Sequence, residues 1–248
     1  MDEFPLHGTV SDMFPGFEGR RDRRDISAGH KTFPDIREPE FWAIYRKCRP
    51  YTLLSTEAAY NLFTAVRNLV ENRIAGDLVE CGVLLGGASL AAAMFCDHFG
   101  LTGRKHFLFD TFAGFPHDVV ETDLAGRPVA LKAGFAPAGK FRKTVEAAIA
   151  RSGLDPSRFV LVEGDVKETL PHAAIGQLCL LQLDTDDHDS LLHELRTLYP
   201  ALSPGGVLIV DDYGQFEGVR RAVDSYFLAL ERRPYLQRVD FSTRCAVK

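Results

Sequence analysis

The sequence predicts an α/β fold, a doubly wound and mostly parallel sheet with helices on both faces. Two observations carry this. After Gly76, short apolar runs alternate with segments of helical periodicity, the pattern of right-handed βαβ crossovers. Leu178-Cys179-Leu180-Leu181 is apolar without a break, as a central strand covered on both faces must be. The 248 residues suit one such domain with extra pieces.

Residues 1–50 are punctuated by Pro5, Pro15, Pro34, Pro39 and Pro50 around aromatic stretches such as Phe41-Trp42-Ala43-Ile44-Tyr45. They read as an N-terminal arm that packs onto the main domain (residues 51–248) or onto a second subunit, so a homo-oligomer is expected. Ser55 is placed to cap the next helix, with Glu57 in its first turn suiting the helix dipole. Ala59, Leu62, Phe63, Val66, Leu69 and Val70 follow at helical spacing, and Gly76 ends the run. Strands are expected at 78–81, 106–109, 159–163, 178–183 and 207–210, with helices near 88–99, 141–152, 190–199 and 217–231. Segments 237–239 and 244–247 are expected to close the sheet as an antiparallel pair. The Gly-, Pro- and Ala-rich stretch from about 114 to 140 reads as a functional lid.

Composition narrows the partners. A formal net charge of −5 argues against nucleic acid, which wants a basic face; the local exception, Arg20-Arg21-Asp22-Arg23-Arg24, reads as a solvated charge run. Five scattered cysteines without a CxxC pair argue against a disulfide framework or zinc site. With no basic start, no signal-like apolar region and no run near the ~20 apolar residues of a membrane span, a cytoplasmic protein is expected.

Ligands of such sheets bind beyond the carboxyl ends of the strands. The first strand ends Glu80-Cys81-Gly82-Val83-Leu84-Leu85-Gly86-Gly87-Ala88-Ser89. The spacing is Gly-x-x-x-Gly-Gly, not the Gly-x-Gly-x-x-Gly of dinucleotide binders, which disfavours a nicotinamide dehydrogenase. Glu80 suits a cofactor whose cationic ammonium group needs a carboxylate. The next strand ends Phe109-Asp110-Thr111, where Asp110 either accepts the hydroxyls of a ribose or caps the following turn. Asp165 falls beyond the third strand and could face an adenine.

The fourth and fifth strands end Leu183-Asp184-Thr185-Asp186-Asp187-His188 and Val210-Asp211-Asp212-Tyr213. If these strands are neighbours, Asp184, Asp186, Asp211 and Asp212 share one small volume, and like charges so close need a proton or a cation between them. An all-oxygen set favours a hard ion such as Mg²⁺. Asp186, two positions from Asp184 on the same strand face, is a candidate base; His188 is either a second base or a solvated helix-start residue.

From about Tyr51 to Phe227 the chain resembles the macrocin O-methyltransferase family, S-adenosylmethionine- and Mg²⁺-dependent enzymes acting on deoxysugar hydroxyls of antibiotics. The motifs are Tyr51-Thr52-Leu53-Leu54-Ser55, Gly76-Asp77-Leu78-Val79-Glu80-Cys81-Gly82-Val83, Phe109-Asp110-Thr111-Phe112-Ala113-Gly114-Phe115-Pro116, Leu183-Asp184-Thr185-Asp186 and Ser203-Pro204-Gly205-Gly206 running on to Asp211-Asp212-Tyr213-Gly214. The resemblance implies a Rossmann-like class I methyltransferase fold with a seven-stranded sheet. It implies that Asp184, Asp211 and Asp212 ligate the metal and that Asp186 is the base. Cofactor contacts would come from Glu80, Gly82, Val83, Ser89, Asp110, Thr111, Asp165 and Asp184, under a segment carrying Tyr51, Thr52 and Ser55. The expected acceptor is a hydroxyl of a sugar or glycosylated natural product. Two departures stand out: Leu84 and Leu85 before Gly86-Gly87, where many members carry Trp-Arg-Gly-Gly or similar, and Asp187-His188-Asp189-Ser190-Leu191, where members usually carry a bulky or aromatic pair and then Glu-Ser-Thr. A metal-dependent hydrolase on the same carboxylates, or a cofactor-binding module without turnover, are the competing readings.

Overall fold

The computed structural model describes residues 32–134 and 139–248. The Arg20–Arg24 run and most of the expected arm lie outside the described residues. In chain order the elements are α1 (Pro39–Cys48), α2 (Thr56–Glu71), β1 (Asp77–Cys81), α3 (Gly87–His98), β2 (His106–Asp110), β3 (Val119–Thr122), β4 (Pro128–Leu131), α4 (Lys140–Ser152), β5 (Phe159–Glu163), α5 (Val166–Thr169), β6 (Leu178–Leu183), α6 (His188–Leu198), β7 (Leu202–Val210), α7 (Glu217–Leu228), β8 (Gln237–Arg238) and β9 (Arg244–Val247).

Seven strands form one sheet in the order β5-β2-β1-β6-β7-β9-β8. The first five are parallel; β9 runs antiparallel to β7, and β8 to β9. Successive strand residues point to opposite faces, and the core divides accordingly. Leu78, Leu108, Leu180 and Ile209 join the cluster under α1 to α4, while Val79, Phe109, Leu181 and Val210 join the one under α5 to α7. The fold expectation holds.

α1 belongs to the first of these clusters. Phe41, Trp42 and Tyr45 are buried, and Phe41 meets Tyr60, Phe63 and Phe95 at centroid distances of 5.2–6.2 Å. The Trp42 indole donates to the Ile36 carbonyl and the Tyr45 hydroxyl to that of Leu54. The described residues before 51 therefore pack on the domain itself. Ser55 caps α2 as expected, accepting from the Ala58 amide at 3.0 Å.

Two expectations need correction. The stretch from about 114 to 140 is not simply a loop: β3 and β4 pair as an antiparallel hairpin. And β7 begins at Leu202, five residues before the expected start, because a register shift opposite Leu178–Leu180 lets the chain carry Pro204 and Gly205 without breaking the strand. Among the described residues, no helix is long and apolar enough to cross a membrane.

Candidate active site

The sheet reverses its winding between β1 and β6, so the crevice beyond these two tips is where a ligand should sit. Gly82 leaves β1 at φ +83°, and a Cβ there would fall 2.0 Å from the Asp184 carbonyl oxygen. Only glycine fits. The turn that follows is tied to β2: Asp110 Oδ2 accepts from the Val83 and Leu84 amides at 2.7 and 2.9 Å, and its Oδ1 from Phe112 at 2.6 Å. The capping role of Asp110 is thus present, and it is extended to the glycine turn. Thr111 donates to the Gly114 carbonyl. Asp165 caps α5 through the Lys167 amide.

Glu80 is buried and takes the Ser89 hydroxyl. Burial pushes its carboxyl up to about 8, with the nearby Asp110 charge adding to the shift. Tyr51 and Thr52 lie against the first residue of α3, Gly87, where a Cβ would come within 2.5 Å of the Tyr51 backbone.

A cavity of about 540 Å³ opens over these tips, in the size range of small-molecule sites. Of the residues singled out in the sequence, Ser55, Gly82, Asp110, Thr111, Asp165, Asp184, Asp186, Asp211 and Asp212 line it. Tyr51, Thr52, Glu80, Val83 and Ser89 sit behind the lining. The β3–β4 hairpin supplies a wall with Val129 to Lys132.

The carboxylates come together as adjacency of β6 and β7 requires. The Asp184 amide bonds to the Cys81 carbonyl and the Asp211 amide to that of Leu183. One oxygen each of Asp184, Asp186 and Asp212 lies within 4.8 Å of the others. Asp211 stands beside this trio with its Oδ1 engaged by Thr243 at 2.8 Å and by the Asp212 amide at 2.9 Å. Asp186 does not reach the trio by strand alternation, since β6 stops at Leu183; it turns in through a left-handed backbone at φ +65°, and Asp212 does the same at +58°. Non-glycine residues seldom hold such angles, and those that do gather at functional sites. Burial first, then mutual repulsion, pushes Asp184 and Asp186 well above the usual carboxylate range and Asp211 up to about 7. Such a set gains most from a hard cation.

Two residues here, Glu121 and Glu194, escaped the sequence reading. Glu121, buried on β3, accepts from the His188 amide at 3.3 Å and from the Gly218 amide at 3.1 Å. These open α6 and α7, so one carboxylate sits on two positive helix ends and pins the hairpin. Asp187 is the N-cap of α6, bonded by the Asp189 and Ser190 amides. His188 turns its ring to Asp189 at 2.8 Å, outside the cavity lining, as a helix-start residue does. Glu194 is fully buried beneath the aspartates, and burial raises it well above its usual range.

These shifts set a pH dependence. The unfolded chain has its carboxyls ionised above about pH 6, whereas Glu80 at about 8 and Asp211 at about 7 keep protons on folding. The folded state binds more protons, so stability falls as pH rises. His106, held down to about 3 by burial and Arg158, opposes this only below its unfolded value near 6.5. Between pH 6.5 and 8.5 the Tm of chelator-treated protein should fall, by about 2–4 °C per kcal/mol. A scan flat or rising across that window overturns the assignment.

Residues 46–244 match the family described as macrocin O-methyltransferase (TylF). The chain is 32% identical over 176 residues, 71% of its length and 67% of the other's, to the 8-demethyl-8-(2,3-dimethoxy-alpha-L-rhamnosyl)-tetracenomycin-C 4'-O-methyltransferase of Streptomyces olivaceus. It is also 32% identical over 177 residues, 71% of its length and 67% of the relative's, to the demethyldecarbamoylnovobiocin O-methyltransferase of Streptomyces niveus. The solved structure of the O-methyltransferase NovP superposes with a TM-score of 0.68 at 25% identity, covering 80% of this chain and 82% of that one.

Proposed function

The chain belongs to the macrocin O-methyltransferase family, and on that premise we propose that it moves a methyl group from S-adenosylmethionine to a hydroxyl of a sugar or related natural product, with a divalent cation such as Mg²⁺ at the aspartates. The observation that carries the reading is the meeting of three half-buried carboxylates within 4.8 Å beside the cavity at the β1–β6 reversal. An all-oxygen set of that charge suits Mg²⁺ better than a softer metal. The two relatives described above act, by name, on a rhamnosylated tetracenomycin and on a novobiocin precursor.

In this reading Asp110 meets the ribose with the one lone pair that its three amide donors leave on Oδ1. Glu80, whose bonded partner is the neutral Ser89 hydroxyl, takes the ammonium group. Gly82, Thr111, Asp165 and Asp184 line the rest of the cofactor's bed, Ser55 covers it, and Val83, Ser89, Tyr51 and Thr52 back it. Asp184, Asp211 and Asp212 hold the cation. A cation bound there supplies the positive charge that stabilises an alkoxide developing on the acceptor oxygen. Asp186 would accept the hydroxyl proton as the oxygen–methyl bond forms and the sulfur–methyl bond breaks, its electron pair staying on sulfur and S-adenosylhomocysteine leaving as a neutral thioether. The hairpin wall and the strand tips hold the acceptor oxygen against the sulfonium methyl, and such alignment is worth much of the rate.

A second division of labour has its own observation. Asp186, rather than Asp211, is the third member of the converging trio, which favours it as a ligand.

Calorimetry tests the cofactor half of the reading. S-adenosylhomocysteine should bind at about micromolar Kd, roughly −8 kcal/mol, and NADH should not. The reverse preference would overturn it.

A further inference from the structure

β9 runs antiparallel to β7 with Val210 opposite Arg244. Carrying that register one step further sets Thr243 opposite Asp211, and a second step sets Ser242 opposite Asp212. Opposed residues of an antiparallel pair meet side chain to side chain, and these do. Thr243 Oγ1 donates to Asp211 Oδ1 at 2.8 Å, and Ser242 Oγ donates to Asp212 Oδ1 at 3.0 Å. Both residues are buried, Thr243 to 1% exposure. With the Asp212 amide also on Asp211 Oδ1, two donors hold one oxygen and leave the other for a different partner.

The turn that carries the hydroxyls is itself locked. Asp240 Oδ1 accepts from the Ser242 and Thr243 amides at 2.8 and 2.7 Å. Its Oδ2 takes the hydroxyl of Ser55, the residue that caps α2. The Gly214 amide bonds to the Ser242 carbonyl at 2.8 Å, and a Cβ at Gly214 would fall 1.7 Å from the Phe241 carbonyl oxygen. Asp240, Ser55 and Gly214, three residues from separate parts of the chain, thus fix the turn that carries the two hydroxyls. Fixing them in advance matters because a ligand set that is already ordered loses less freedom when the ion binds.

We propose that Thr243 and Ser242 are positioning residues for the reaction, holding the Asp211 and Asp212 carboxylates so that their remaining oxygens are presented to the divalent cation. The inference rests on the cation-binding reading given above. A purely structural role, two buried hydroxyls satisfying two buried acceptors, predicts loss of Tm and nothing else. Outer-shell donors of the proposed kind are worth about 10–100-fold in metal affinity.

The test is Mn²⁺ titration of the full chain, followed by electron paramagnetic resonance, on wild type, Thr243→Val, Thr243→Ser and Ser242→Ala. S-adenosylhomocysteine affinity is measured beside it. Thr243→Val keeps the volume and removes the donor; it should weaken Mn²⁺ binding about 10–100-fold and leave S-adenosylhomocysteine affinity unchanged. Thr243→Ser should restore Mn²⁺ binding. Ser242→Ala should weaken it in the same sense, and it carries the test should Thr243→Val not fold. Mn²⁺ binding by Thr243→Val and Ser242→Ala as tight as by wild type overturns the proposal alone, as does a serine variant as weak as the valine one. Wild type that binds no Mn²⁺ removes the cation reading and the proposal with it, a result distinguishable from either.

Discussion

Asp212→Asn should abolish methyl transfer while making the metal-free protein more stable. Asparagine keeps the shape and tolerates the left-handed backbone at φ +58°, so little but the charge is lost. Removing a charge from the cation's ligand set withdraws stabilisation of developing negative charge worth several kcal/mol, about 10³-fold in rate or more. Repulsion runs the other way. The Asp212 charge is among the causes that lift Asp184, Asp186 and Asp211 above the ordinary range, and its removal relieves all three. At pH 8 the variant's Tm without metal should rise, and the rise in Tm that Mg²⁺ gives to wild type should shrink. Activity assays and thermal melts with and without EDTA check both halves. A fall in Tm together with full activity would mean that the cluster is a structural network and not a cation site.

Asp186→Asn should lower kcat by about 10²–10⁴-fold, the usual worth of a positioned base, and leave S-adenosylhomocysteine and Mn²⁺ affinity as they were. The acceptor oxygen would still be held but would keep its proton. Turnover equal to wild type would strip the residue of that role. Loss of Mn²⁺ binding along with kcat would make it a ligand, as its place in the converging trio also allows, and would pass the search for a base to its neighbours.

Much of the fold was legible because its signals are dense. Each of the five parallel strands carries a short, mostly apolar run, and β5 and β6 begin and end where the sequence puts them. The hairpin escaped because β3 and β4 have four residues each and leave Val120 70% exposed, too short and too wet for an alternation to show. The true start of β7 escaped because Ser203-Pro204-Gly205-Gly206 reads as a turn, and only the register shift against β6 makes it a strand. In the site, the aspartates were legible as strand-end carboxylates. Their individual orientations were not, because the donors that set them come from a turn about 30 residues further on. Thr243 could have been found by extending the expected closing strand one residue back from Arg244. Glu121 and Glu194 could not, since a lone acidic residue on a short amphipathic element looks like solvated surface until its neighbours are known.

The contact at Gly82 reaches further than the turn it allows. With no Cβ, the backbone after β1 rests directly on the Asp184 carbonyl, so the glycine turn and the acidic strand tips are spaced by main chain against main chain. Side-chain changes elsewhere in the cavity can alter which acceptor enters without altering that gap. The sheet thus sets the gap between the glycine turn and the carboxylates, while the hairpin forms a separate wall of the same cavity.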